Sequence, residues 1–129
     1  MISTTMVWRH LNTHPVVAYT VHLTWHETEP LIVTATLDAD KPITWELSRD
    51  LLAAGLLHPC GAGDVRVYPW PQFGDVEIIL ATPQAIADFA CDLGELDAFI
   101  AETFEVIAGG EETCDFDTEL AELLTGEAA

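Results

Sequence analysis

Five histidines, three cysteines and 22 carboxylates are the residues of this 129-residue chain that could do chemistry. Their spacing limits what that chemistry could be. His10 and His14 lie four apart, and so do His22 and His26. On an extended strand that spacing places two imidazoles on one face about 13 Å apart, too far to share a zinc ion. A metal would need Cys60, Cys91 or Cys114 to converge on them through folding, and no CxxC or HxxxC spacing points that way. His58 and Cys60 flank Pro59. Neighbours separated by one proline rarely point at each other, and neither a nucleophile elbow nor an oxyanion motif surrounds this pair. Gly61 and Gly63 lack the lysine of a P-loop and the spacing of a dinucleotide fingerprint. No acid pair is singled out by an apolar pocket that would raise one pKa. The expectation is a protein without catalytic residues, metal or cofactor.

The charged residues that stand out are Arg49, Asp50, Asp64 and Arg66. Two of the four basic residues of the chain, Arg49 and Arg66, fall close to carboxylates of the same stretch. A planar guanidinium suits bidentate pairing, so these four are expected to be structural ion pairs that fix a helix and a glycine loop against a sheet. Trp70 differs from them. It lies between Pro69 and Pro71, and an aromatic held on an irregular loop is a candidate partner contact.

The elements that must position these residues are legible from periodicity. Residues 4–10 alternate weakly and predict a first strand. Val17, Tyr19, Val21, Leu23 and Trp25 alternate cleanly with Ala18, Thr20, His22 and Thr24, which predicts a second strand with one core face. Leu31, Val33, Ala35 and Leu37 predict a third, and Ile43, Trp45 and Leu47 a fourth. Ser48 can cap a short helix with Asp50 in its first turn and Leu51, Leu52 and Leu56 on its buried side. Gly55 suits the left-handed residue that ends such a helix. Pro59, Gly61 and Gly63 then force a compact loop. Val65 and Val67 lie on one face of the next strand, with Arg66 and Tyr68 on the other.

The prolines around Trp70 cannot donate to a sheet ladder, so this segment is expected to leave the sheet. Residues 76–81 resume it. Residues 84–91 have helical propensity but are placed as a strand. Residues 92–108 predict a helix with a stripe of Leu93, Leu96, Ile100, Phe104 and Ile107 and with Glu95, Asp97, Glu102 and Glu105 off it. Asp117 can cap a last short helix bearing Leu120, Leu123 and Leu124. The fold class is α+β, a strongly bent antiparallel sheet packed with helices, in one domain over residues 1–129.

Residues 45–70, strand, helix, glycine turn and strand, also carry a resemblance. Trp45, the run Arg49-Asp50-Leu51-Leu52, Gly55-Leu56, then Pro59, Gly61 and the run Gly63-Asp64-Val65-Arg66-Val67 with Pro69 resemble the signature of the SsgA-like proteins. These are small regulators of sporulation-specific cell division in filamentous actinobacteria. Residues 115–120, DFDTEL, are similar to the family's C-terminal motif but one residue shorter. Tyr68 stands where the family commonly has tryptophan. The placement of residues 84–91 as a strand follows the family pattern. The resemblance implies a Whirly-like fold, a trimer, and a non-enzymatic role in localising septum formation and recruiting the tubulin-like GTPase FtsZ through contacts with other family members.

The balance of 22 acids against four basic residues, a net charge of −18, bears on partners. Residues 67–129 hold 15 acids and no Lys or Arg. Nucleic acid is attracted mainly by Lys and Arg that displace counterions from phosphates, so nucleic-acid binding, which the Whirly-like fold alone would suggest, is not expected. Glu95 and Glu102, on the acidic helix, join Trp70 as candidate partner contacts. The longest apolar run, residues 76–81 interrupted by Glu77, is too short to span a bilayer. Three cysteines at unpatterned spacing suit reduced thiols and a cytoplasmic location, with recruitment to division septa implied by the resemblance. Ile32, Ile79 and Ile86 fall on strand faces opposite the core and are expected to be covered by a symmetric oligomer.

Overall fold

The structure, a computed structural model, describes residues 1–108. Alternation builds the first four strands: β1 (Ile2–His10), β2 (Val17–Trp25), β3 (Ile32–Leu37) and β4 (Ile43–Ser48). Met6 and Trp8 of β1, Val21, Leu23 and Trp25 of β2, Val33, Ala35 and Leu37 of β3 and Leu47 of β4 turn into one core. A helix, α1 (Arg49–Gly55), follows directly. The Ser48 hydroxyl accepts the amide of Leu51 at 3.1 Å, a local N-cap that stops the strand and starts the helix. Four more strands come next: β5 (Cys60–Ala62), β6 (Val65–Trp70), β7 (Asp75–Ala81) and β8 (Ile86–Asp92). A single 3₁₀ turn, Pro71–Phe73, joins β6 to β7. The helix α2 (Leu93–Val106) closes the described chain, capped by Asp92, whose carboxylate accepts the amide of Glu95 at 2.9 Å.

All eight strands form one antiparallel sheet in the order β4-β3-β2-β1-β8-β7-β6-β5. Two meanders therefore meet at a seam between β1 and β8. That seam is short: Arg9 pairs with Ala90 and His10 with Phe89, and the Leu11 amide donates to the Asp88 carbonyl. The sheet curls strongly. Trp45 on β4 lies 5.7 Å from Phe89 on β8, ring centre to ring centre, although three strands separate them in the sheet. Trp8 meets the same ring at 5.5 Å. Both helices close the inner side, burying Leu51, Leu52, Leu96, Phe99 and Ile100.

Residues 86–92 form a strand against their alanine-rich helical propensity, because β8 is flanked by β1 and β7 and buries Phe89 and Cys91. Several details differ from the sequence expectation. Gly55 does not end α1 in a left-handed conformation; among the described residues the positive-φ glycines are Gly63 and Gly74. Its hydrogen is needed for closeness instead, since a Cβ there would stand 2.3 Å from Cγ1 of Val67 on β6. Pro69 and Trp70 do not leave the sheet. They pair with Val76 and Asp75 at the end of β6. Proline is tolerated because β5 pairs only up to Val67, so β6 has an open edge beyond it. The stripe of α2 is rotated from the expected one. Phe99 and Thr103 are buried, whereas Leu93, Phe104 and Ile107 are half-buried. The expected helix at residues 117–124 lies outside the described residues.

Candidate functional site

The sequence singles out two kinds of residue, the arginine cluster and Trp70, and the fold splits the cluster, with Arg49 on the inner side of the sheet and Arg66 on the outer face that also carries Trp70. Arg49 is buried on the inner side. Its guanidinium carbon lies 4.1 Å from the ring centre of Phe104 and 5.4 Å from that of Trp25. Nη1 donates to the carbonyls of Thr103 at 3.2 Å and Ile107 at 2.9 Å. The first residue of α1 thus supplies the cation for the C-terminal carbonyls of α2, which has no basic residue in its own last turn. Burial lowers the Arg49 pKa from its ordinary value, and neighbouring Asp50 pulls it back up.

The expected ion pairs do not form. Among the described residues the ion pairs are the N-terminal ammonium with Glu27 and Arg9 with Asp75, and neither Arg49 nor Arg66 contacts Asp50 or Asp64 in that way. Successive residues on a helix point away from each other, which separates Arg49 from Asp50. Asp64 stands exposed in the β5–β6 turn. Arg66 is half-buried on the outer face of β6.

That outer face carries a lattice of aromatic and acidic side chains. The inward positions of β6, β7 and β8 (Val67, Val76, Ile78, Leu80, Phe89, Cys91) are buried, so the alternate positions face out. Register arranges them in rows. Trp70 stands opposite Asp75. Tyr68, Glu77, Ala90 and Arg9 form the next row across four strands, and Arg66, Ile79 and Asp88 the third. Arg9 Nη2 donates to Asp75 Oδ2 at 2.8 Å. The Trp70 indole Nε1 donates to Glu77 Oε1 at 2.9 Å.

Glu77 also bears on Asp88 of the neighbouring strand. Partial burial first, then the interaction with Glu77, raises the Asp88 pKa from 3.8 to about 7. Asp88 therefore keeps its proton up to about pH 7, beside Glu77 on the neighbouring strand. No acid pair was expected to be perturbed, because the sequence offers no apolar run around Asp88; the pair is created by the β7–β8 register.

Two concavities flank this lattice. A groove of ≈ 290 Å³ is lined by Leu11, Trp70, Phe73 and Ala90 and bordered by Arg9, Asp75 and Glu77. Trp70 is 42% and Phe73 72% exposed, with ring centres 6.5 Å apart. Ala90, nearly buried, forms the floor because its small side chain leaves space between Arg9 and Glu77. A second depression of ≈ 580 Å³ includes Asp64, Arg66, Tyr68, Ile79, Ile86 and Asp88.

Glu95 and Glu102 are exposed on α2 and line neither concavity. The Leu93 amide donates to the Gly74 carbonyl, so the start of α2 is tied to the turn after Phe73. Sequence reasoning missed Phe73, Glu77 and Asp88; the alternation of Arg66, Tyr68 and Trp70 against Asp75, Glu77 and Ile79 was the available signal.

The cysteine positions turn out differently from each other. Contrary to expectation, His58 and Cys60 do meet, Nδ1 to Sγ at 3.3 Å, because β5 begins at Cys60 and turns its thiol inward; that sulfur is fully buried. Burial, with Asp75, Asp92 and Glu95 nearby and only Arg9 opposing them, pushes the Cys91 thiol up to about 12, which makes it a poor nucleophile. No cluster of three metal-ligating side chains occurs among the described residues.

A family model described as Streptomyces sporulation and cell division protein, SsgA, matches residues 19–112. The sporulation-specific cell division protein SsgB of Salinispora tropica is 34% identical over 116 residues, covering 87% of this chain and 76% of that protein. SsgB of Streptomyces coelicolor is 34% identical over 110 residues, covering 82% and 73%. A solved structure described by the correlation of SsgB mutations with longitudinal cell division during sporulation of Streptomyces coelicolor has a TM-score of 0.78 at 30% identity. It covers 84% of this chain and 90% of its own. The SsgA-like sporulation-specific cell division protein from Thermobifida fusca also gives a TM-score of 0.78, at 27% identity, covering 94% of this chain and 93% of that one.

Proposed function

This chain belongs to the SsgA family of sporulation and cell division proteins, and from that premise we propose that it regulates sporulation-specific division by protein–protein contact. In this reading it brings the septation machinery, the tubulin-like GTPase FtsZ included, to the division site together with other family members. The family consists of division regulators and not of known enzymes. The observation that carries the reading is the 34% identity to a sporulation-specific cell division protein across 87% of the chain.

The exposed Trp70 and Phe73 supply a contact surface without any catalytic constellation. Glu95 and Glu102, exposed on α2, offer further contacts for a partner. The assembly we favour is a trimer, which would cover the exposed Ile86 and the half-buried Ile32 and Ile79 and present three copies of one docking face to a filament. The location proposed is the cytoplasm, with recruitment to septa; no described helix is long and apolar enough to cross a membrane. The acid surplus of −18 works against a nucleic-acid partner.

The test is deletion of the gene in its sporulating host while a fluorescent FtsZ fusion is followed. Loss or misplacement of sporulation-stage FtsZ rings is expected, restored by the intact gene. Rings of normal number and spacing in the deletion strain would overturn the proposal.

A further inference from the structure

The outer-face lattice holds more carboxylate than the chain's own cations neutralise. Asp75 has Arg9. Glu77 and Asp88 have no ion pair among the described residues. The groups facing them from the neighbouring strands are Arg9 on β1, already on Asp75, Tyr68 and Arg66 on β6, and Asp64 at the β6 turn. Arg66 lines the same depression as Asp88 but makes no ion pair with it. Instead burial first, and then the neighbouring Glu77, raise the Asp88 pKa to about 7.

Beside this pair lies the apolar groove of Leu11, Trp70, Phe73 and Ala90. Glu77 stands on its border, held there by the Trp70 indole. Trp70 and Phe73 are tilted 43° to each other and are not stacked face to face, which leaves ring surface available on an exposed tryptophan.

We propose that this groove receives an arginine side chain of a protein partner, its guanidinium over the Trp70 ring and hydrogen-bonded to the Glu77 carboxylate. The proposal rests on the reading of Trp70 as a protein contact and adds the chemistry of what is contacted. Tryptophan is the best of the aromatic faces for a cation, and a guanidinium can stack and donate at once. The arginine stem would lie against Leu11 and Phe73. A cation seated on Glu77 also favours the ionised form of neighbouring Asp88. A partner segment rich in basic residues also complements a chain of net charge −18.

The probe is the peptide acetyl-Leu-Arg-Leu-Arg-amide, titrated into the full ¹⁵N-labelled chain while the Trp70 indole N–H resonance is followed. The neutral isostere with citrulline in place of arginine is the control. The arginine peptide is expected to shift that resonance and to bind roughly tenfold tighter at pH 8 than at pH 6, as Asp88 loses its proton through pH 7. Glu77→Gln and Trp70→Ala are expected to weaken binding at least tenfold, read in the variants on the Phe73 backbone amide because the Trp70 variants lack the indole, without changing the melting temperature by more than a few degrees. Should Trp70→Ala disturb folding, Trp70→Phe keeps a ring and loses only the indole donor, and it is expected to bind at an intermediate strength. Equal binding of the citrulline peptide, or an unmoved Trp70 resonance at millimolar arginine peptide, would overturn the proposal. Because the titration uses purified protein, its failure is separable from a failure of the role in septation, which is read in cells.

Discussion

Residues 2–55 and 60–106 follow one plan twice: four antiparallel strands run into a helix whose N-cap is the last residue of the fourth strand. The two caps have nearly the same backbone, φ −67° and ψ 125° at Ser48 against φ −69° and ψ 123° at Asp92. The halves diverge in their strands. The first has strands of nine, nine, six and six residues; the second begins with a strand of three. That short β5 leaves the far end of β6 without a neighbour on one side. There Pro69 is tolerated, Trp70 stands exposed, and the groove forms. The first half spends its alternation on packing, with Met6, Trp8, Val21, Leu23 and Trp25 all buried. The second packs equally well inside but carries acids and aromatics outside. A shared local plan thus leaves room for function where strand pairing runs out.

Arg49 breaks the symmetry most directly, because a residue from the helix of one half terminates the helix of the other. Arg49→Met is expected to destabilise the chain by about 3 kcal/mol, through lost hydrogen bonds to the α2 carbonyls and lost stacking. Arg49→Lys should recover less than half of that, since an ammonium cannot stack between two rings and reach two carbonyls. Urea denaturation measures both. A loss below about 1 kcal/mol for Arg49→Met would show that the halves are joined by the core alone.

Gly55→Ala probes the contact between α1 of the first half and β6 of the second. Alanine favours a helix by about 1 kcal/mol over glycine, yet here its Cβ meets the Val67 side chain at 2.3 Å. The net expectation is a destabilisation of about 2 kcal/mol. In the Gly55→Ala/Val67→Ala double variant the two losses should sum to less than additive, because the second substitution removes the clash. Strict additivity in the same denaturation experiment would mean that the helix shifts freely.

The caps sharpen the comparison. Ser48→Ala and Asp92→Ala are each expected to lower stability by about 1 kcal/mol. Values within a few tenths of each other would support the equivalence of the two strand-to-helix joints. A twofold difference would mean that one helix is held chiefly by packing.

The remaining expectation is a pH dependence and belongs to Asp88. Its pKa is raised in the folded chain, to about 7 from 3.8, so between those values the folded state binds a proton that the unfolded state has released. Stability from this group therefore falls as pH rises from about 4 to about 7 and is level above. Asp88→Asn should flatten that slope and leave the variant relatively more stable at pH 8 than at pH 5. Parallel stability–pH curves for the two proteins would show that Asp88 ionises normally.

Much of the fold was legible in the sequence because strands and helices announce themselves through local periods. Val17–Trp25 and the Ser48 cap needed only neighbours in the chain to be read. The strand at residues 86–92 was reachable only through the family resemblance, since its own alanines favour helix. The site was less legible. The Glu77–Asp88 pair, the Trp70–Glu77 hydrogen bond and the Arg9–Asp75 ion pair each depend on register between strands distant in sequence. For Arg49 the sequence points to the carboxylates nearest in the chain, whereas the fold offers two aromatic rings and two carbonyls. Gly55 was read through backbone conformation when proximity to Val67 is what requires it.

The seam between β1 and β8 also fixes an order of events during synthesis. As the ribosome delivers the chain, β1 to β4 can pair with their immediate neighbours, but the outer edge of β1 finds its partner only after residue 90 has emerged. For that interval a nascent chain displays an open strand edge, the kind of surface that recruits another chain into a shared sheet. The residue that will occupy the seam is Arg9, whose partner Asp75 also follows the first four strands in the chain. Until Asp75 is made that edge carries an unpaired positive charge, and charge on an edge strand disfavours pairing with a second chain.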